Sequence, residues 1–555
     1  MNKLMNKLMN KLMNKPLLSV IIFLALSWYI FFFRLDAMGL TDPDETFYAQ
    51  TAREMLAKNE WLTPHIFGKP QFEKPILFYW LVELSFKAFG VNETAARLPS
   101  AVSGAIGIAA MYLLGNLLFN RRAGLIAAVM LATSVEYIIL SRACVTDMTL
   151  FTLMLLGVLA FFYGHLKGKG YAYLLSAAFF ALAVLTKGPI AVMLPGLAFI
   201  LYFIFTKDWK SFVKIPILPM AAVFIAVAAP WYLAMYKVHG SSFTDAFFGF
   251  QNVTRFVQAE HKIGSQVYYN IPIILVGFFP WSVFLPFGLW YAFKKAFASR
   301  PEDRFERNSV IFALTWFFTI FVFFTASSTK LPTYIFPCFM AAALIPAVSW
   351  DDFLKERPSE RVRKWVRGAC YTLVVIVILG IAGASIYLGG HYPLLQKSLT
   401  VPYAVLLFGI VLSLVAMLKR KKLWAFMLIA YAVLIFLYPV SKLVLPEIDR
   451  LETSKVMAAK LSTLMSPGER LGAEDRYMEG LTFYTGRIPT NLSNPSVMAD
   501  FLGSKDRIWC VVKERNSARF YEPGAYVVYR LGKKSIVTNI LPADGKYLAR
   551  KAGAK

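Results

Sequence analysis

The chain has 555 residues, of which 57% are hydrophobic, a mean hydropathy of +0.54 and a formal charge of +26. That apolar content excludes an ordinary soluble protein. The charge does not mark nucleic-acid binding, because the basic residues cluster in short gaps between apolar runs and lack interleaved stacking aromatics.

Residues 1–15, built on repeated Met-Asn-Lys-Leu, form a basic segment. The apolar run that follows, to Phe33, is long for a signal-peptide core and has no A-x-A site, so it reads as an uncleaved first span. Residues 34–97 then form a long polar loop. Twelve further apolar runs follow: 98–119, 123–140, 148–166, 171–186, 189–205, 215–236, 267–293, 309–326, 331–348, 368–388, 401–418 and 423–440. The expected fold is a polytopic α-helical membrane protein of about 13 transmembrane helices.

Lysine and arginine test that count. Lys3 to Lys15, Arg121/Arg122, Lys167/Lys169, Lys207/Lys210/Lys214, Lys294/Lys295/Arg300, Lys355 to Lys364 and Lys419 to Lys422 all fall on alternate connections. The positive-inside rule makes these cytoplasmic, in a bacterial inner membrane with a cytoplasmic N-terminus. The opposite loops, 34–97, 141–147, 187–188, 237–266, 327–330 and 389–400, then face the periplasm together with everything after about residue 441. Residues 16–440 thus form the membrane domain, with periplasmic loops 34–97 and 237–266. Residues 441–555 read as a soluble periplasmic α/β domain, with a helix at 454–465 and strands at 508–512 and 526–529. The cysteines Cys144, Cys338, Cys370 and Cys510 show no CxxC spacing, which argues against a disulfide framework or zinc knuckle.

The unusual polar residues lie on the periplasmic side. Pro43-Asp44-Glu45 looks like a helix start, where the dipole favours carboxylates. Glu73-Lys74-Pro75 opens a segment, 76–90, with the look of an amphipathic interfacial helix. There Lys74 could pair with Glu73 or snorkel. Asp147 stands where one span ends and the next begins, in a position suited to a helix cap. Each has a structural explanation singly, but several carboxylates at one membrane rim are functional suspects.

The strings P-D-E-x-x-Y-A and F-E-K-P-x-x-x-Y-W, then A-x-R-L-P-S and the aspartate of the next periplasmic loop, resemble the bacterial lipid A aminoarabinose transferases. These are GT-C glycosyltransferases related to the protein O-mannosyltransferases, with polyprenyl-phosphate sugars as donors. The resemblance implies that Asp44, Asp147 and Glu45 are catalytic. It implies that Lys74 holds the donor phosphate, with Arg255, and that Glu73 and His261 share a divalent metal ion (Zn or Mg/Mn). Where many aminoarabinose transferases carry an arginine after D-E-T, this chain has Phe47, and Lys187 and Lys330 are candidates to supply the charge. The implied reaction moves 4-amino-4-deoxy-L-arabinose or a similar aminosugar from undecaprenyl phosphate to lipid A phosphate. A transferase acting on protein hydroxyls or another glycan is the alternative. A transporter fits less well, since no internal repeat is visible.

Overall fold

The computed structural model describes residues 16–254, 266–297, 304–355, 359–514 and 525–541. Among them, nine helices are long and apolar enough to cross a membrane, or up to eleven if each of two bent pairs is one span. The protein is therefore a multi-pass helical membrane protein. Side chains on the outside of the bundle are apolar where a soluble protein would be polar: Leu218 is 82% exposed and Ile386 80%.

The site end is built by α1 (Pro16–Ser27), which continues through a π-helical turn to Phe32, and by α2 (Asp44–Lys58), α3 (Leu77–Phe89) and α4 (Glu93–Leu118). Asn92 caps α4 by accepting from the Ala95 N–H, and Asn120 caps α5 (Arg121–Ala132) by accepting from Arg122 and Ala123. Between α4 and α5 the backbones nearly touch: a Cβ on Gly115 would sit 2.6 Å from the Gly124 Cα. Small residues permit that approach, the usual basis of helix association in lipid.

The first bent pair joins α5 to α6 (Val135–Ser141) at 67°. The second joins α11 to α12, which are labelled below with their neighbours, at 113°. After α6 come α7 (Thr146–Lys167), α8 (Gly170–Lys187), α9 (Ile190–Thr206), α10 (Ile217–His239), α11 (Asn270–Gly277) and α12 (Leu285–Ala296). The two breaks face each other. Val135 N–H donates to the Phe279 carbonyl at 3.2 Å, and Trp281 Nε1 donates to Thr133 Oγ1 at 2.8 Å. Backbone groups freed by a broken helix are thus satisfied inside protein, as an apolar surround requires.

The bundle closes with α13 (Arg304–Ala326), α14 (Phe339–Leu354), α15 (Glu360–His391), α16 (Pro393–Leu418) and α17 (Lys422–Pro439). The basic connections gather at one end. Arg122 pairs with Asp351, Lys295 with Asp352 at 2.8 Å, and Lys422 Nζ donates to the Lys355 carbonyl at 2.7 Å.

The chain then makes α18 (Leu445–Glu452), α19 (Lys455–Leu464), α20 (Met478–Thr485) and α21 (Pro495–Leu502) around a five-stranded sheet. A two-stranded ribbon in the first loop takes β1 (His65–Ile66) and β2 (Lys69–Pro70). The sheet contains β3 (Arg470–Ala473), β4 (Thr490–Asn491), β5 (Ile508–Lys513), β6 (Tyr526–Leu531) and β7 (Lys534–Thr538) in the order β4-β3-β5-β7-β6. Pairings β3–β4 and β3–β5 are parallel, while β7 runs antiparallel to β5 and β6. Strand β5 is buried on both faces, Trp509 and Val511 meeting one apolar cluster and Cys510 and Val512 another. That explains its unbroken apolar run.

Candidate active site

The first long loop is fastened by one buried ion pair. Arg97, on α4, donates Nε to Glu45 Oε1 at 2.8 Å and Nη2 to Oε2 at 2.6 Å. Its remaining donors reach the carbonyls of Leu35, Met38 and Gly39. Glu45 also accepts from the Cys144 N–H at 2.8 Å and from Thr41. Arg97 holds the Glu45 carboxyl below the usual range although burial pushes it up. Both Glu45 oxygens are therefore engaged within the protein.

Asp44, one residue earlier in the first turn of α2, stands at the exposed rim. The protein mass around it and then Asp147 raise its carboxyl above the usual range, while Arg476 opposes this. Asp147 lies in the first turn of α7, whose cap position is Val145, so the helix-cap role expected for Asp147 is not what its carboxylate does. Instead it accepts from Lys187 Nζ at 2.5 Å, tying the start of α7 to the end of α8. The same Lys187 Nζ lies 5.2 Å from the centre of the Tyr334 ring. Tyr48 is buried between these groups, and burial, Asp147, Glu73 and Asp44 together raise its hydroxyl.

Glu73 and Lys74 line a cleft of about 860 Å³, open mouth included, which they share with Lys187, Ser327, Thr329, Thr333 and Tyr334. Its apolar lining includes Leu150, Met154, Ile190, Leu194, Phe323 and Phe324. Lys74 Nζ donates to the Glu73 carbonyl at 3.3 Å. Lys330, 6% exposed, is in the connection that carries Ser327 and Thr329. The chemistry on offer is a pair of ammonium groups in a lining that is otherwise largely hydrocarbon, suited to a lipid whose head is anionic.

Arg255 and His261 lie outside the described residues. Among the described residues no group of three or more His, Cys, Asp or Glu side chains gathers to hold a metal ion. Glu73 shares its cleft with two ammonium groups. As a donor set these residues fit an anion better than a divalent cation, so no chemical step below passes through a metal.

Sequence reasoning left four neighbours unassigned. Arg97 was visible only as the arginine of A-x-R-L-P-S. Tyr334 had no signal beyond its nearness to Lys330. Arg476 and Glu479 come from a segment some 400 residues downstream of Asp44. Burial, then Asp475, Asp42 and Glu73, push the Glu479 carboxyl up to about 7.

Residues 73–233 match the family model for dolichyl-phosphate-mannose-protein mannosyltransferase, a stretch that includes Glu73, Lys74, Asp147 and Lys187. The undecaprenyl phosphate-alpha-4-amino-4-deoxy-L-arabinose arabinosyl transferase of Aeromonas hydrophila is 28% identical over 84% of each chain. Its namesake from Aeromonas salmonicida is 31% identical, the alignment spanning 63% of this chain and 63% of that protein. The crystal structure of ArnT from Cupriavidus metallidurans bound to undecaprenyl phosphate shares the fold, with a TM-score of 0.79 and 22% identity over 94% of this chain and 98% of that one. The fold is therefore the one seen in that crystal structure. In sequence the chain is similar to the bacterial aminoarabinose transferases, at 28–31% identity.

Proposed function

We propose that the protein transfers 4-amino-4-deoxy-L-arabinose, or a similar aminosugar, from undecaprenyl phosphate to a lipid A phosphate on the periplasmic face of the inner membrane. The observation that carries this reading is the cleft, whose lining joins Lys74 and Lys187 with apolar Leu150, Met154, Ile190 and Leu194. A phosphate head and an isoprenoid tail would each find a matching surface there.

In the proposed reaction the bond from the sugar's anomeric carbon to the donor phosphate oxygen breaks. The electron pair leaves with undecaprenyl phosphate. A new bond forms from an acceptor phosphate oxygen in a single displacement with inversion. Fixed cations stabilise the departing phosphate, a task for Lys74 and Lys187, with Arg255 and Lys330 as further candidates. Asp44 and Asp147 face the oxocarbenium-like centre, where carboxylate charge is stabilising. A lipid A phosphate needs no general base; a hydroxyl acceptor would, and Asp44 is then the group at hand. Glu45 acts through its grip on Arg97 and positions Asp44 without touching substrate. Glu73 and His261 are the proposed ligands if a divalent ion is bound, a reading tested by metal analysis of the purified chain.

The proposed topology has thirteen spans. Nine long helices support it, and counting each of the two bent pairs and the two shorter apolar helices as one span brings the number to thirteen. Residues 1–15 are then cytoplasmic, 16–440 the transferase domain, and 441–555 a soluble periplasmic domain.

The match to the protein mannosyltransferase family model favours a second reading, with a protein hydroxyl as acceptor. Incubating the purified protein with undecaprenyl-phosphate aminosugar and lipid A separates the two. Mass spectrometry should show lipid A gaining one aminosugar. Sugar found only on added polypeptide would move the assignment to the second reading.

A further inference from the structure

The segment that leads into Asp44 is clasped from the far end of the chain. Gly39 N–H donates to Asp449 Oδ1 at 2.7 Å, and Leu40 N–H to the Tyr484 hydroxyl at 2.7 Å. Thr41 forms an isolated antiparallel β-bridge with Thr453. Ser454 Oγ then donates to Asp42 Oδ2 at 2.6 Å, and Thr46 Oγ1 to Asp42 Oδ1 at 3.3 Å. Four consecutive residues are thus each held by a residue between 449 and 484, immediately before Asp44.

The fit is close. Asp42 is 4% exposed, and a Cβ added to Gly480 would sit 1.9 Å from Asp42 Oδ1, so only glycine lets α20 pack there. Lys534 and Arg476 are the cations facing the Asp42 carboxylate, and Glu479 and Tyr477 face it from α20 and the turn before it. Lys534 Nζ in turn donates to the Thr453 carbonyl, which braces the β-bridge. On the other side the same segment is gripped by Arg97 through the carbonyls of Leu35, Met38 and Gly39.

We propose that the C-terminal α/β domain is a positioning part of the catalytic site, with Asp42 as the positioning residue through which Ser454, beside the Thr41–Thr453 bridge, sets the place of Asp44. This rests on the role given to Asp44 under Proposed function. The N-terminus of α2 is a short lever: Asp42 lies two residues from Asp44, and Glu45, one residue beyond it, is locked to Arg97. With both ends of the turn held, the Asp44 carboxylate has one location relative to Asp147 and the cleft. Releasing the 39–42 end leaves the cleft and its lysines intact while Asp44 wanders. Misplacement of about an ångström is enough to cost on the order of a hundredfold in rate.

The test uses the full chain in detergent, with Ser454→Ala, Tyr484→Phe, Asp42→Ala and the conservative Asp42→Asn. Three quantities are read: amide exchange across residues 39–48, undecaprenyl phosphate binding, and kcat and KM for transfer. The expected result is faster exchange confined to 39–48 and a fall in kcat of about tenfold or more. Donor KM and undecaprenyl phosphate affinity stay within about twofold, and Asp42→Asn, which still accepts from Ser454, recovers most of the rate. Unchanged exchange, or a loss of donor binding equal to the loss of rate, would overturn the proposal. Tyr484→Phe keeps the ring in place, so it reports on the clasp even if Asp42→Ala does not fold. Should the wild type transfer no sugar at all, the function proposed above fails, and the exchange and lipid-binding measurements still decide whether the clasp exists.

Discussion

At the scale of single residues, two lysines line the cleft. Lys187 already faces Asp147 at 2.5 Å, whereas Lys74 donates to the backbone carbonyl of Glu73 beside the cleft. Both lysines line the cleft, and Lys74 is the one proposed to hold the donor phosphate. Lys74→Ala should weaken undecaprenyl phosphate binding by about 2–3 kcal/mol, the cost of removing one partner of a charge-assisted contact. Glu73→Gln, which removes a repelling charge, should leave that binding intact or tighten it. Isothermal titration with the lipid phosphate decides; equal affinities for wild type and Lys74→Ala would move the phosphate to the other cations. Asp44 makes a second prediction. Its carboxyl is raised by its surroundings and by Asp147, so the acid limb of the rate profile should lie above the ordinary aspartate range of about 4. The proposed role needs the ionised form, so activity is present above that limb and lost as pH falls through it. Asp147→Asn removes a repelling charge and leaves Lys187 uncompensated; both changes favour ionised Asp44. The limb should then shift to lower pH, and a shift upward would contradict the arrangement.

At the scale of elements, the join between the first loop and the bundle depends on Arg97 and Glu45, 3% exposed each. Removing one partner of a buried pair leaves an uncompensated charge, a cost of about 3–5 kcal/mol. Arg97→Met should therefore lower the thermal midpoint of the detergent-solubilised protein markedly, whereas an Arg97→Met, Glu45→Leu double variant should regain part of the loss. If the single variant melts like wild type, the pair is not what fastens the loop. The helix contact at Gly115 and Gly124 is equally exacting: Gly124→Leu would meet the Asn116 nitrogen and Tyr112 carbonyl within 2.6 Å of its Cβ and should reduce the folded yield. These elements also show what could be read from the chain alone. Spans were legible because a run of about twenty apolar residues has few other uses. The start of α2 was legible because proline and two acids mark a helix N-terminus. The breaks at Thr133–Ser134 and around Pro280 were hidden, since apolar composition continues through them and the bonds that join them, Val135 N–H to the Phe279 carbonyl and Trp281 Nε1 to Thr133 Oγ1, are tertiary. Strand order was hidden for a related reason: β3 pairs with β5 across more than thirty residues, and periodicity is silent about partners. The acidic rim could be guessed, but the engagement of Glu45 by Arg97 and of Asp147 by Lys187 is tertiary, and so was the arrival of Ser454 beside Asp42.

At the scale of the whole molecule, charge and contacts bear on the same question of sidedness. The connections rich in lysine and arginine meet each other: Arg122 with Asp351, Lys295 with Asp352, and Arg361 over the Trp290 ring at 5.3 Å. The other end collects Asp44, Glu73, Asp147 and Lys187, and there Asp449 and Tyr484 reach Gly39 and Leu40. A bundle with its basic connections at one end and its site at the other obeys the positive-inside rule only if the basic end is cytoplasmic. The opposite insertion would expose the basic connections to the periplasm. Single cysteines test this in the full chain, because the four native cysteines are all buried and should not react. Lys364 and Arg450 have exposed side chains, 76% and 55%, at the two ends. In spheroplasts, a membrane-impermeant maleimide should label Arg450→Cys at once and Lys364→Cys only after the membrane is permeabilised. Labelling of Lys364→Cys alone would invert the protein and place the transfer reaction on the cytoplasmic face. Labelling of both without permeabilisation would mean that the span count between residues 364 and 450 is even, and one of α15, α16 and α17 would then have to lie on the membrane instead of crossing it.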